Sequence, residues 1–384
     1  MNSTRVPMSR GNLPGGISNA GIATVDGIPS NDWSDDQFQD YLLQGVSRTF
    51  ALTIPELPDV LARVVSNGYL LCRIVDTIED EADLSLVSKR YFCGLFPEVV
   101  AGGIDARRFS SELLPLLSES TPERERELIA LSPRVIRITH GFRPSQRTAL
   151  ETCVRVMALG MADFQEHKDP SGLATLEDME RYCYHVAGVV GELLTRLFCD
   201  YSPEIAQRES TLMLLAVYFG QGLQMTNILK DIWEDRRRGS CWLPRDVFAQ
   251  FGFDLGNLES GGDREAFSRG LGHLIAIANA RLQDALQYTL LIPSRETGLR
   301  NFCLWAIGMA MLTLRKIDRN RNFRAGREVK ITRRSVKATV IASRFSARHD
   351  FLLRGLFRVV GAGLPRISEC AEQATPPGHV RRLG

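Results

Sequence analysis

The chain has 384 residues, of which 44% are hydrophobic and 24% are charged, a composition typical of a folded globular protein with a large core. The formal net charge is only +2, so the overall charge gives no indication of a nucleic-acid-binding protein. The eight cysteines form no Cys-x-x-Cys pair and show no zinc-type spacing with histidine, which favours reduced, buried thiols in a cytoplasmic protein.

The two ends of the chain differ in composition from the middle. Residues 1–31 are rich in Gly, Ser, Asn and Pro without the pattern of a signal peptide, and we expect a disordered leader there. One folded domain is expected over residues 32–368, followed by a loose tail over residues 369–384. The most apolar run, Phe302 to Leu314, is shorter than the roughly 20 residues that cross a bilayer, so no membrane span is predicted. The basic stretch from Arg344 to Arg382 leaves open either contact with anionic lipids or a solvated tail.

The first helix signal is Ser34, which precedes two aspartates and an apolar stripe. Ser47 and Arg48 follow where this helix is expected to end. A hydroxyl and a guanidinium at that point are suited to binding an anion, and they are equally typical of a surface turn.

A longer helix is predicted over residues 59–81, and it carries an acidic motif near its end. Five polar residues share one face of it at three- and four-residue spacing: Tyr69, Arg73, Asp76, Glu79 and Asp80. Three carboxylates on one face repel each other unless a cation binds, and Mg²⁺ prefers such oxygen ligands. Taken alone, the motif is more often a solvated acidic helix end. Gly68 in the same helix indicates close packing or a bend.

The next informative segment begins with Thr175-Leu-Glu-Asp, which predicts a capping box. The helix that follows contains small residues at Ala187, Gly188 and Gly191, which leave room for either a neighbouring helix or a long apolar ligand. His185 in this helix is more typical of a hydrogen-bonded core residue than of a catalytic base.

A second long helix is predicted over residues 210–238. Its polar stripe consists of Gln224, Asn227, Asp231, Glu234 and Asp235. The pattern Asp-x-x-Glu-Asp therefore occurs twice, each time in an apolar helix, and chance explains two occurrences much less well than one. If the two helices face each other, they can hold several Mg²⁺ ions around one diphosphate.

With both motifs in view, residues 47–334 resemble the squalene and phytoene synthase family of head-to-head prenyl transferases. Three segments are most similar to its squalene-forming members: Tyr182-Cys-Tyr-His-Val-Ala-Gly with His and Tyr exchanged, Asn301-Phe-Cys, and Phe323-Arg-Ala-Gly-Arg-Glu-Val-Lys-Ile. Two departures are visible. The Lys-Ile-Arg of the family reads Lys330-Ile-Thr-Arg333 here, so the second cofactor arginine of the family is either displaced to Arg333 or absent. Lys230 stands where arginine is common, which keeps the charge but loses a bidentate phosphate contact.

The resemblance implies a fold and a reaction. The fold is an all-α, single-domain helical bundle of the isoprenoid-synthase type with a central active-site cavity, in agreement with the apolar helices and the absence of alternating strand patterns. The reaction is the Mg²⁺-dependent condensation of two farnesyl diphosphates to presqualene diphosphate, followed by reduction with NADPH to squalene. Family members without the reduction make dehydrosqualene or phytoene, and a catalytically silent assembly factor is an alternative of another class.

The resemblance also implies roles for individual residues. The Mg²⁺ ligands are Asp76, Glu79, Asp80, Asn227, Asp231, Glu234 and Asp235. The substrate contacts are Ser47, Arg48, Tyr69, Arg73, Gln224 and Asn227. The phosphates of NADPH are bound by Arg48, Arg73, Lys230, Lys330 and Arg333. Tyr182 is placed near a proton transfer and counts as catalytic with Asp76, Asp80, Asp231 and Asp235. We also expect a cytoplasmic protein that has no nucleic-acid partner. Peripheral contact with a membrane is left open.

Overall fold

The computed structural model describes residues 32–47, 49–166, 169–258 and 262–367. Within these ranges the chain is α-helical and forms no strand, as the sequence predicts, and a single-residue parallel bridge joins Leu173 to Pro244. Arg48, the predicted leader over residues 1–31 and the predicted tail over residues 369–384 lie outside the described residues.

The first half of the chain forms a series of helices that begins at Ser34. They are α1 (Asp35–Val46), α2 (Phe50–Thr53), α3 (Asp59–Asp80), α4 (Leu86–Val100), α5 (Ala106–Leu113), α6 (Glu123–Ala130), α7 (Ser132–His140) and α8 (Pro144–Glu166). Ser34 caps α1 by accepting a hydrogen bond from the Gln37 amide, and the Gln37 side chain accepts one from the Ser34 amide. The predicted helix over residues 59–81 is confirmed as α3.

The second half contains the longest helices. They are α9 (Leu176–Cys183), α10 (Val189–Tyr201), α11 (Pro203–Ala206), α12 (Glu209–Arg237), α13 (Arg245–Gln250), α14 (Arg264–Leu291), α15 (Thr297–Arg319), α16 (Gly326–Val329), α17 (Arg333–Ser346) and α18 (Asp350–Gly361). The predicted capping box is confirmed, because Thr175 and Asp178 exchange hydrogen bonds at the start of α9. A π-helical turn, Tyr184–Gly188, joins α9 to α10.

The helices that carry the two acidic motifs occupy the interior of the bundle. Helix α3 packs against α1 and α8, and α12 packs against α14, α10 and α15. By length and composition α12 could cross a membrane, but half of its most apolar 18-residue window is buried inside the protein. Core helices share that property, so the observation is weak evidence for a membrane span.

Small residues allow the closest helix contacts. A Cβ atom on Gly68 would stand 3.0 Å from Leu150, which confirms the close packing expected of this glycine. A Cβ atom on Gly191 would stand 2.3 Å from the carbonyl oxygen of Ala216 on α12. The space beside Gly191 is therefore filled by a neighbouring helix, so the structure favours the helix-packing interpretation over a ligand groove.

Candidate active site

The acidic face of α3 lies beside a fixed arginine. Arg73 forms an ion pair with Asp76 at 3.6 Å and a second, closer one with Glu125 on α6. Glu125 is buried, and its other carboxylate oxygen accepts a hydrogen bond of 3.3 Å from Thr77. Burial lowers the pKa of Arg73, but the charges of Asp76 and Glu125 together outweigh burial and raise this pKa, so the guanidinium stays charged. Glu125 was not found by the sequence analysis, and it holds Arg73 in one orientation at the edge of the acidic motif.

Glu79 is oriented differently from its two acidic neighbours. Its carboxylate accepts a hydrogen bond of 2.5 Å from the Gln165 amide on α8, and its backbone carbonyl accepts one from the Lys89 ammonium. Burial, followed by the charges of Asp80 and Asp76, raises the pKa of Glu79 to about 8. This carboxyl group is therefore largely protonated at neutral pH, and it lies against α8.

The acidic face of α12 is fastened to a later segment of the chain. Glu234 accepts hydrogen bonds from the Gly326 amide at 3.0 and 3.3 Å and pairs with Arg237 at 3.2 Å. Lys230 pairs with Asp231 at 3.0 Å, next to the same segment. A Cβ atom on Gly326 would stand 3.0 Å from the carbonyl oxygen of Lys230, so the glycine permits this contact. Gln224 is partly exposed, and Asn227 is exposed.

The two acidic motifs are close enough to affect each other's ionisation. Burial raises the pKa of Asp235 on α12 to about 7, and the charges of Asp231 and of Asp80 on α3 add to this effect. Burial likewise raises the pKa of Asp76 to about 7, with a further contribution from Asp80. The charge of Arg238 lowers the pKa values of Asp80 and Asp235 and so partly offsets the effect of burial on them. The sequence analysis did not select Arg238.

Asp80 shows that this region is a recess. The residue is accessible to solvent, yet burial is the largest cause of its raised pKa. Both facts hold if the carboxylate is open to water on one side while the surrounding protein removes the bulk solvent on the others. A recess with carboxylates on two sides suits a cation bound together with an anionic ligand.

The donor set fits Mg²⁺ that arrives with phosphate. Among the residues that the structure describes, no three His, Cys, Asp or Glu side chains are placed to hold a metal ion by themselves. Mg²⁺ in proteins usually takes one or two carboxylates and completes its coordination with water and substrate phosphates. Burial, with a smaller contribution from neighbouring carboxylates, raises the pKa values of Asp76 and Asp235, and a divalent cation would relieve the part that is due to negative charge.

Tyr182 lies in an aromatic pocket near this recess. Its ring stacks on Trp242 with centroids 3.9 Å apart and meets the edge of Phe164 at 5.3 Å. Burial, followed by the negative charge of Glu79, holds the pKa of Tyr182 well above its ordinary value. The hydroxyl is therefore neutral at physiological pH. Sequence reasoning found Tyr182 but not its stacking partner Trp242, which lies 60 positions later without a local signal.

His185 occupies the π-helical turn after Tyr182 and is a core residue, as the sequence analysis favoured. Its Nδ1 lies 3.2 Å from the carbonyl oxygen of Val156, and a Cβ atom on Gly160 would overlap the ring. Burial lowers the pKa of His185, so the imidazole is neutral.

Ser47 and Tyr69 lie on the Arg73 side of the site. Ser47 is buried, and its hydroxyl accepts a hydrogen bond of 3.0 Å from the Phe50 amide at the start of α2. Tyr69 donates a hydrogen bond of 3.3 Å to the carbonyl of Val46. Burial raises the pKa of Tyr69, whereas Ser47 and Arg73 lower it. The structure therefore brings Ser47, Tyr69 and Arg73 together, and Arg48 lies outside the described residues.

The segment from Phe323 to Lys330 is anchored to α12. Trp233 donates a hydrogen bond of 2.7 Å to the carbonyl of Phe323, and the Arg324 guanidinium lies 4.9 Å from the centre of the Trp233 ring. Lys330 follows this anchor and is exposed, and Lys316 donates a hydrogen bond of 2.7 Å to its backbone carbonyl.

The family model for squalene/phytoene synthases matches residues 43–335, which include every site residue named above. The chain belongs to the squalene/phytoene synthase family. It is 30% identical to a squalene synthase of Gibberella zeae over 75% of this chain and 59% of that protein. It is 29% identical to a squalene synthase of Schizosaccharomyces pombe over 73% of this chain and 59% of that protein. The matches thus span about three fifths of the length of these two relatives.

Solved structures confirm the fold class. A ligand complex of TcSQS has a TM-score of 0.69 at 23% identity and covers 88% of this chain and 96% of its own. A ligand complex of a dehydrosqualene synthase has a TM-score of 0.55 at 19% identity, with 81% and 95% covered. The chain therefore has the helical fold of the isoprenoid synthases.

Replacing Glu125 with glutamine should weaken the hold on Arg73 without unfolding the protein. Glutamine keeps the size but removes the charge that holds Arg73, so we expect the affinity of this site for inorganic pyrophosphate, used as an anionic probe, to fall by about 10- to 100-fold. The matched control is Glu127→Gln on the same helix, where Glu127 instead binds Tyr41 and Arg124. Equal losses in the two variants, or a fall that follows the melting temperature alone, would contradict a positioning role for Glu125.

Proposed function

We propose that this protein condenses two molecules of farnesyl diphosphate to presqualene diphosphate and reduces that intermediate to squalene. The observation that carries the proposal is the meeting of two Asp-x-x-Glu-Asp helices, in which the charge of Asp80 on α3 raises the pKa of Asp235 on α12. The family membership and the squalene synthases among the relatives support the same reaction.

Mg²⁺ is the proposed metal, and it would be held from both helices. The proposed ligands are Asp76, Glu79 and Asp80 on α3, and Asn227, Asp231, Glu234 and Asp235 on α12. Glu79 accepts a hydrogen bond from Gln165 through one oxygen, so its other oxygen would face the metal. Both oxygens of Glu234 lie within hydrogen-bond distance of the Gly326 amide, so Glu234 would share an oxygen between this amide and the metal. A Mg²⁺ ion held by these residues would supply positive charge to stabilise a diphosphate leaving group.

The basic and polar residues around the recess would bind the substrate. Arg73, fixed by Glu125, would donate hydrogen bonds to a diphosphate, and Lys230 would contribute a second cation from α12. Ser47, Tyr69 and Gln224 are proposed to line the substrate, with Arg48 as a further contact. The aromatic pocket of Tyr182 excludes water from the reacting carbons, and its neutral hydroxyl can donate a hydrogen bond or pass on a proton.

NADPH is the proposed reductant and supplies the two electrons and the hydrogen that the second half of the reaction needs. Lys330 and Arg333 are exposed, and within the described part of the chain neither has a carboxylate partner, so both cations are available for phosphates. Residues 323–330 are hydrogen-bonded to Trp233 and Glu234, and these bonds fix the position of the segment relative to α12. Lys230, Arg48 and Arg73 are proposed as further contacts to the cofactor.

Replacing Lys330 with alanine should affect the reduction and spare the condensation. We expect the KM for NADPH to rise by about tenfold, the effect of losing one charge-assisted contact to a phosphate, while diphosphate release in the first half-reaction stays unchanged. The control is Arg319→Ala, an exposed cation at the end of α15. An unchanged KM in the Lys330 variant would remove this residue from the cofactor site.

The proposed function is tested by incubating the protein with farnesyl diphosphate and Mg²⁺, with and without NADPH, and identifying the products by mass spectrometry. Squalene that forms only with NADPH supports the full reaction. Dehydrosqualene or phytoene regardless of NADPH would replace it with the non-reductive reaction of the same family. No turnover at all would favour a catalytically silent assembly factor.

A cytoplasmic location is proposed together with this function. The described cysteines are all free, and most of them are buried, as expected for thiols in a reducing compartment. Peripheral contact with a membrane remains compatible with that location.

A further inference from the structure

The last two described helices present large apolar side chains to solvent. The exposed fractions are 80% for Phe345, 82% for Phe351 and 69% for Val359. Ile341 and Leu352 are also exposed, at 57% and 48%. We call these five residues the corner surface, because α17 and α18 meet at a corner between Phe345 and Phe351. Single exposed apolar residues are ordinary, but several on two consecutive helices mark an interaction surface.

The corner surface is not needed to hold the two helices in place. Helix α18 buries Leu353 and Phe357, which lie one turn apart and face the protein. Helix α17 packs against α15, and Ser343 and Ser346 on its inner side are buried. The exposed apolar residues therefore lie on the outer faces, where no other part of the described chain covers them.

The charge around the corner surface is almost entirely positive. The basic residues between positions 333 and 367 are Arg333, Arg334, Lys337, Arg344, Arg348, Arg354, Arg358 and Arg366, whereas Asp350 is the single acidic residue in that stretch. Asp350 forms an ion pair with Arg300 at 2.7 Å, and Arg344 forms one with Glu56 at 2.6 Å.

Three of these arginines are well placed to act with the apolar residues. Arg348 lies in the corner itself, and Arg354 and Arg358 are exposed on α18. Within the described residues none of the three has a carboxylate partner, so their charges are not neutralised by the fold.

We propose that the corner surface docks on an anionic phospholipid membrane. Aromatic and aliphatic side chains enter the boundary between headgroups and acyl chains, while arginines bind lipid phosphates, and the two contributions together give stable peripheral binding. Charge complementarity selects this occupant over a second copy of the chain, because a symmetric dimer would bring the same cations face to face. The proposal does not depend on the reaction proposed above.

The test is flotation of the full-length protein with vesicles of phosphatidylcholine alone or mixed with phosphatidylglycerol. We expect binding to the mixed vesicles and little binding to phosphatidylcholine alone. The variant R348Q/R354Q/R358Q should lower partitioning to mixed vesicles by about a hundredfold. The variant F345S/F351S should lower it by at least about tenfold.

Matched controls come from another face of the molecule. Val87 is 79% exposed and Arg107 is exposed without an ion pair within the described chain, so V87S and R107Q remove the same kinds of group elsewhere. Both should bind the mixed vesicles like the wild type, and circular dichroism should show the same helix content in every variant.

Three results would overturn the proposal. The first is a wild-type protein that binds neither kind of vesicle. The second is binding that survives both corner variants, which would place the contact in residues 368–384 or elsewhere. The third is a dimer that dissociates in F345S/F351S, seen by light scattering, without any binding to lipid, which would make the corner surface an interface between copies of the chain.

Discussion

The Asp80→Asn and Asp235→Asn variants should each release diphosphate from farnesyl diphosphate with a kcat about a thousandfold lower than that of the wild type. Asparagine has nearly the same shape but lacks the negative charge that binds a divalent cation. The two residues lie on different helices, α3 and α12, and the charge of Asp80 raises the pKa of Asp235. Because both would act on the same leaving group, the double variant should lose little more than either single variant.

The controls for this prediction lie on the same two helices. Asp59 is exposed at the start of α3 and Glu209 at the start of α12, so Asp59→Asn and Glu209→Gln remove one carboxylate charge from each helix outside the recess. We expect their turnover to stay within about a factor of two of the wild type. If Asp235→Asn were as active as Glu209→Gln, α12 would have no part in metal binding.

The affinity for Mg²⁺ should fall by at least about a hundredfold when the pH is lowered from about 8 to about 6. Asp76 and Asp235 each have a pKa of about 7, raised chiefly by burial. Below that value each holds a proton that the metal must displace, which weakens apparent binding by up to about tenfold per pH unit for each carboxyl group. Titration calorimetry of Mg²⁺ at several pH values measures this dependence directly.

The same pKa values give the metal-free protein a stability that decreases with pH. Between the unfolded-state pKa of 3.8 and about 7, the folded protein keeps protons that the unfolded chain has released, so the free energy of unfolding falls as the pH rises through this window. Mg²⁺ should therefore raise the melting temperature more at pH 8 than at pH 6. An Asp76→Asn variant should show a smaller pH slope in Mg²⁺ affinity than the wild type, and an affinity that does not change with pH in the wild type would contradict the account.

Local signals explain why parts of the fold were predictable from the sequence. The start of α1 depends on Ser34 and Gln37, which are three residues apart, and α3 begins directly after Pro58. The capping box at Thr175 is equally local. Residues that form such capping hydrogen bonds lie three positions apart, so the sequence itself shows them. The acidic residues of each motif are likewise three or four positions apart, which places them on one helix face.

The partners of the site residues could not be predicted in this way. Glu125 binds Arg73 from 52 positions away, and Gln165 binds Glu79 from 86 positions away. Each pair forms because helices that are distant in sequence pack side by side. The small residues at Ala187, Gly188 and Gly191 left two interpretations open for the same reason, since only the position of α12 shows what fills the space beside them.

The most direct test of the account is the dependence of diphosphate release on Mg²⁺, measured with farnesyl diphosphate in the absence of NADPH. The account predicts no release in EDTA, full recovery when Mg²⁺ is restored, and no recovery at the same Mg²⁺ concentration in the Asp80→Asn and Asp235→Asn variants. Release without a divalent cation, or release that either variant supports as well as the wild type, would contradict the claim that the two acidic helices together form the catalytic site.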